Sequence, residues 1–127
     1  MSTKKVLSVG QCAADHGSIS WRFRQAFAAE VVPADTAAEA QEMLQGSDYA
    51  LVLVNRVLDA DGSSGLDFIR RLKTDEALAK VPVMLVSNYD DAQAEAAAGA
   101  EPGFGKAWLG QPQMLERVKR FLDGAER

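Results

Sequence analysis

The sequence predicts one α/β domain spanning residues 1–127, in which five parallel strands alternate with five helices in a doubly wound sheet of order 2-1-3-4-5. Three observations carry this expectation. Tyr49-Ala50-Leu51-Val52-Leu53-Val54-Asn55 is apolar without alternation until its last residue, the pattern of a strand buried on both faces at the centre of a parallel sheet. Other short apolar runs are separated by segments of helical periodicity, and short connections between parallel strands require right-handed crossovers with helices on both faces. A chain of 127 residues suits one domain with a real core. Open parallel sheets gather chemistry at the carboxyl ends of their strands, which directs attention to Asn55.

Taken in order, Lys5-Val6-Leu7-Ser8-Val9-Gly10 forms the first strand, and the small polar residues Gln11 to Ser18 read as the loop that ends it. Ile19, Phe23, Ala26 and Phe27 recur at helical spacing, with Arg22, Arg24 and Gln25 facing away. Glu30 to Ala34 makes a short second strand, placed at an edge because Pro33 has no ladder donor. Thr36-Ala37-Ala38-Glu39 is a capping box opening a helix with Ala37, Ala40 and Leu44 inward and Gly46 as its stop.

After the central strand, Arg56 to Ser64 is a polar loop, and Ser63 or Ser64 caps a third helix with Leu66, Ile69 and Leu72 as its inner stripe. Lys80 to Val86 gives a fourth strand that starts at its proline and ends at Ser87 and Asn88. Asp90 to Ala98 is an alanine-rich helix with acidic residues in its first turn. Pro102 to Lys106 is a strand diluted by two glycines. Pro112 then opens a last helix with Leu115, Val118 and Leu122 buried.

Composition narrows function. A net charge of -4 argues against nucleic acid as a partner, since phosphate binding needs a basic surface. The single Cys12 excludes an internal disulfide and suits a reducing compartment. The apolar run before Gly10 is too short for a signal peptide or membrane span. A cytoplasmic protein that engages no membrane is expected.

Several landmarks follow one another at characteristic spacing: Lys5 to Val9, Ala34-Asp35-Thr36-Ala37-Ala38-Glu39-Ala40, Gly65-Leu66-Asp67-Phe68-Ile69, Val81-Pro82-Val83-Met84-Leu85-Val86-Ser87, and Gly99-Ala100 before Lys106. Together they make the sequence resemble response-regulator receiver domains of two-component signalling, which have a flavodoxin-like fold. The resemblance implies a phosphorelay site. In that family an aspartate ending the third strand accepts a phosphoryl group, two acids after the first strand hold magnesium, and a hydroxyl and a lysine bind phosphoryl oxygens. The metal neutralises charge spread over the transferring oxygens, and the donors complete their shell.

Carried onto this chain, the acceptor is Asn55, the acidic pair is Gly10 and Gln11, the hydroxyl is Ser87 and the ammonium is Lys106. An amide is no substitute nucleophile, and Gly10 with Gln11 offers no anionic oxygen to a hard cation. Neither phosphoryl transfer nor a bound metal or other cofactor is expected. Asn55→Asp alone should not restore the reaction, whereas adding Gly10→Asp and Gln11→Asp should restore some. The family's Lys-Pro is Lys106-Ala107, its reporter aromatic falls on Gly103, and the loop from Asn55 to Gly65 is about two residues longer than the family pattern.

Ser87 and Lys106 are read in two ways, as relics hydrogen-bonded to Asn55 or as an anion pocket in which Lys106 has no obligatory internal partner. Asp59 as a rescuing acceptor and Asp15 as a metal ligand are weighed against solvated loop carboxylates, with the latter preferred. Asp59-Ala60-Asp61-Gly62 resembles the start of a calcium loop without its later ligands and reads as a turn. His16 reads as a loop residue, Cys12 as an inert thiol, and Trp21 and Trp108 as candidate partner anchors. The leading expectation is a non-enzymatic signalling module that binds a protein partner, a histidine kinase or an output protein, without phosphorylation. Self-association as a homodimer stays open. The alternatives are a phosphorelay receiver using Asp59 and a small-ligand-binding flavodoxin-like protein.

Overall fold

A computed structural model describes residues 4–97 and 99–122. Strands β1 (Lys5–Val9), β2 (Glu30–Ala34), β3 (Leu51–Asn55), β4 (Val83–Val86) and β5 (Glu101–Phe104) form one parallel sheet in the order 2-1-3-4-5. Helices α1 (Ala13–Phe27), α2 (Ala37–Gly46), α3 (Gly65–Thr74), α4 (Asp90–Ala96) and α5 (Pro112–Leu122) alternate with them, and a 3-10 turn covers Lys106–Trp108. This is the expected α/β architecture.

The central strand explains the two-layer core. Successive side chains of a strand point to opposite faces, so Leu51 and Leu53 pack with α1 and α5 while Val52 and Val54 pack with α2, α3 and α4. None of the four is exposed. Pro33 lies on β2, which pairs with β1 alone and thus tolerates a residue without a ladder donor. Thr36 Oγ1 accepts from Glu39 N while Glu39 Oε1 accepts from Asp35 N, so the capping segment holds both ends of its turn. Ser64 caps α3 through Asp67 N.

Local patterning misplaced several details. Helix α1 begins at Ala13, so most of the segment read as a loop, His16 included, is its first turns. Gly17 and the small polar residues beside it weaken the local helix signal, and tertiary contacts of that first turn override it. Ala26 is exposed, and the inner row is Ile19 and Phe23 with Phe27 half-buried. In α3 the buried stripe is Gly65, Phe68, Ile69 and Leu72, not Leu66, because the first position of that stripe is the glycine itself. A Cβ at Gly65 would overlap Asn55 O and lie 2.9 Å from Asn55 C, so α3 starts hard against the end of β3.

In α5 the buried row is Met114, Val118 and Leu122, with Leu115 half-buried beside it. Strands β3 and β4 are shorter than their apolar runs, since Tyr49, Ala50, Val81 and Pro82 lie outside the ladder. Strand β5 ends at Phe104 and Lys106 opens the 3-10 turn. Helix α4 ends at Ala96, Gly46 is the last residue of α2 before Ser47, and Ala98 lies outside the described residues. Among the described residues no helix is long and apolar enough to cross a membrane.

Candidate functional site

Register brings the candidate residues to one sheet edge. Asn55 stands opposite Val86 and Val9 opposite Val54, so Gly10, Asn55 and Ser87 leave neighbouring strands together, and Lys106 follows β5 two residues beyond Phe104. The sequence placed these residues at one edge and the structure does the same, but the partners within it are different.

Asn55 does not bond to Ser87 or Lys106. Its Nδ2 donates to Gly10 O at 3.0 Å and its Oδ1 accepts from Arg56 N at 3.0 Å, so the amide ties β3 to the end of β1. An aspartate there could not donate to Gly10 O, which is a physical reason for an amide at this position. Ser87, 8% exposed, accepts from Tyr89 N at 3.1 Å. Asn88 Oδ1 accepts from Ala107 N at 3.2 Å, joining the β4 and β5 loops.

Lys106 is not left without an internal partner. Its Nζ lies 2.6 Å from Asp15 Oδ2, a carboxylate in the first turn of α1. Asp15 is therefore neither a loop residue nor free for a metal. The Lys106 hydrogen bond, more than offsetting partial burial, holds the Asp15 carboxyl below its ordinary range, and the Cys12 thiol assists. A depressed carboxylate contributes stability above its unfolded pKa and loses it as pH falls through the lower folded value. Asp15→Asn is accordingly expected to lower the melting temperature slightly at neutral pH and to have no effect well below pH 3.8, as read from melts across an acid series. The effect is small because both side chains are about one-third exposed.

The positions that the resemblance assigns to an acidic pair, Gly10 and Gln11, are closed as well as uncharged. Leu58 N donates to Ser63 O and Gly62 N to Leu58 O, while Val57 pairs with Ser64 in an isolated antiparallel bridge. The long loop is thus a small hairpin that drives Leu58 into the core with no exposure. Gly10 has φ of 77°, and a Cβ there would overlap the Leu58 side chain and lie 2.9 Å from its Cα. Gln11 is 8% exposed, and among the described residues neither amide atom has a hydrogen-bond partner. A neutral amide, a backbone glycine under Leu58 and a carboxylate already held by Lys106 do not fit a hard divalent cation.

The remaining candidates separate from this edge or turn to structural work. Asp59 is exposed, with its backbone N donating to Gly10 O at 2.9 Å. Asp61 Oδ1 accepts from Ser63 N and Ser63 Oγ, which makes the apparent calcium loop a turn and lowers the Asp61 carboxyl from its usual range. Trp21 is 58% exposed with Arg22 against its ring, and Trp108 is half-buried under Arg117. Cys12 is half-buried, and His16 Nδ1 is buried with no hydrogen-bond partner among the described residues.

Sequence reasoning missed Gln93 and Arg56. The β4–β5 ladder shifts register between Met84 and Val86, and Gln93 Nε2 reaches from α4 to Leu85 O and Ser87 O, both at 3.0 Å. Arg117 Nη1 donates to Gly103 O. A Cβ at Gly103 would overlap Leu85 O and lie 2.9 Å from Gln93 Oε1, so the position of the family's aromatic admits only glycine here. Arg56 stacks on the Tyr89 ring at 4.7 Å, and the pair stands between two cavities of about 300 and 430 Å³.

No family model matches the chain, and no curated protein matches it in sequence. Solved structures do. The signal receiver domain of a DNA-binding response regulator from Colwellia psychrerythraea 34H superposes with a TM-score of 0.79 at 21% identity, over 98% of this chain and 99% of that one. The chemotaxis response regulator CheY4 of Vibrio cholerae gives 0.76 at 19% identity over 95% and 100% of the two chains. A response regulator receiver protein from Pseudomonas putida gives 0.76 at 22% over 94% and 98%. The chain therefore has the flavodoxin-like fold of response-regulator receiver domains.

Proposed function

We propose that the chain is a receiver-like signal-transduction module that works by protein–protein interaction without phosphorylation and without catalysis of its own. One observation carries this reading: Leu58 fills the space above Gly10 that a metal-binding carboxylate would need. Asn55 lacks a nucleophile, and Lys106 is engaged by Asp15, so acceptor, metal and phosphoryl-oxygen functions are all compromised at one edge. What remains is a folded domain with surfaces to offer. The partner is a signalling protein, a histidine kinase or an output protein. The single Cys12 and the acidic charge of -4 favour a cytoplasmic setting and a partner other than nucleic acid.

Incubation with acetyl phosphate and magnesium followed by intact-mass measurement should show no phosphoryl adduct, on the native chain or on Asn55→Asp. An adduct mapped to Asp59 would replace this reading with phosphorelay through a different carboxylate.

A further inference from the structure

We propose that the cavity at the ends of β3 and β4 binds a small aromatic carboxylate, with Arg56 as its anchor. The cavity has a volume of about 300 Å³ and is lined by Asn55, Arg56, Ser87, Asn88, Tyr89 and Lys106, with the two valines Val57 and Val86 completing its wall. It contains two cations and no carboxylate among its lining residues. In a chain of net charge -4 such a lining is a local reversal of sign.

Arg56 distinguishes this site from a residual phosphoryl pocket. Among the described residues its guanidinium has no carboxylate partner and no protein hydrogen-bond acceptor, only the Tyr89 ring at 4.7 Å. Stacking uses the face of the guanidinium and leaves its planar edge of N–H donors for a bidentate carboxylate. Ser87, more than nine-tenths buried, accepts from Tyr89 N, and its own proton has no acceptor among the described residues. The Asn88 side-chain amide uses its oxygen on Ala107 N, which leaves its NH₂ as a further donor. Lys106 contributes less, since Asp15 already neutralises much of its charge.

The body of the ligand follows from the adjoining cavity of about 430 Å³, which shares Arg56, Val57 and Tyr89 and adds Leu66 and Ala92. Val57 and Tyr89 are 41% and 59% exposed, an apolar surface suited to a flat ring. Asp91 and Glu95 line that second cavity, and Glu95 is held by Arg70. Their charge disfavours the carboxylate there and orients it toward Arg56. Pockets of this size with a few convergent polar groups are ordinary small-ligand sites.

The probes are benzoate, acetate and benzamide, titrated at low ionic strength while backbone amide shifts are followed. Benzoate should move Arg56, Ser87 and Tyr89 and bind about tenfold more tightly than acetate, while neutral benzamide should not saturate. Arg56→Gln should weaken benzoate at least about fivefold, and Tyr89→Ala should erase its advantage over acetate without weakening acetate. Both residues are exposed, so unchanged melting curves are expected for these variants. Equal binding of benzoate and acetate would reduce the site to an adventitious ion only and overturn the proposal, as would benzamide binding as well as benzoate or Arg56→Gln binding as well as the native chain. This inference extends the phosphorylation-independent reading and fails separately from it, because a phosphoryl adduct tests Asn55 and Asp59 while these titrations test Arg56 and Tyr89.

Discussion

Gly10→Asp is expected to destabilise the protein by about 2–5 kcal/mol, measured by denaturant unfolding, and to leave it unable to bind magnesium. Two costs act together. A side chain at φ of 77° is strained by about 1–2 kcal/mol, and its Cβ would overlap Leu58, whose Cα lies 2.9 Å away and cannot swing aside like a side-chain tip. Overpacking of this kind adds about 1–3 kcal/mol. The substitution set Asn55→Asp, Gly10→Asp and Gln11→Asp, expected from residue types to restore some phosphorylation, is therefore not expected to do so. Shortening the Leu58 side chain should relieve part of the clash, so Gly10→Asp with Leu58→Ala should lose less stability than the sum of the single changes. A Gly10→Asp protein as stable as the native one would mean that Leu58 yields readily and that the metal site is only chemically stripped.

Gly103→Tyr, which places an aromatic where receiver domains carry one, should cost about 3 kcal/mol or more and speed hydrogen exchange along β5. The new Cβ would overlap Leu85 O, a backbone atom held within β4, and its neighbour Leu85 C would be 3.1 Å away. It would also press on Gln93, whose amide bridges Leu85 O and Ser87 O across the shifted β4–β5 register. Gln93→Leu separates the contributions, since it removes those donors without adding a clash. A loss of about 1–3 kcal/mol is expected from the part-buried carbonyls left unpaired. If Gly103→Tyr folded with native stability and native β5 protection, the close strand packing would not be what excludes the aromatic.

The sequence by itself determined the order of elements and which residues stand together at one sheet edge. Unbroken apolar runs such as Leu51 to Val54 can be satisfied only between two helical layers, and alternation with amphipathic segments then leaves a doubly wound sheet. Asn55, Ser87 and Lys106 were legible because each lies at or just beyond a strand end, where hydrophobicity stops. Helix faces were legible to within two residues, since Leu66, two positions before Phe68, and Leu115, next to Met114, are as apolar as the residues that are buried and only packing selects between them.

Tertiary structure decided how the edge is used. No local pattern reveals that Lys106 meets Asp15, because the pair joins the last strand's loop to a helix turn that propensity alone disfavours. Nor does it reveal that Leu58 fills the space above Gly10, since the hairpin that carries Leu58 is closed by backbone bonds between residues with ordinary loop composition. The same holds for Gln93, whose partners exist only once β4 and β5 pair out of register. Composition and periodicity fix which surfaces must be buried, whereas charge pairing and steric exclusion depend on distances between residues remote in the chain. For this protein those distances close the edge at Gly10 and place Arg56 and Tyr89 beside it.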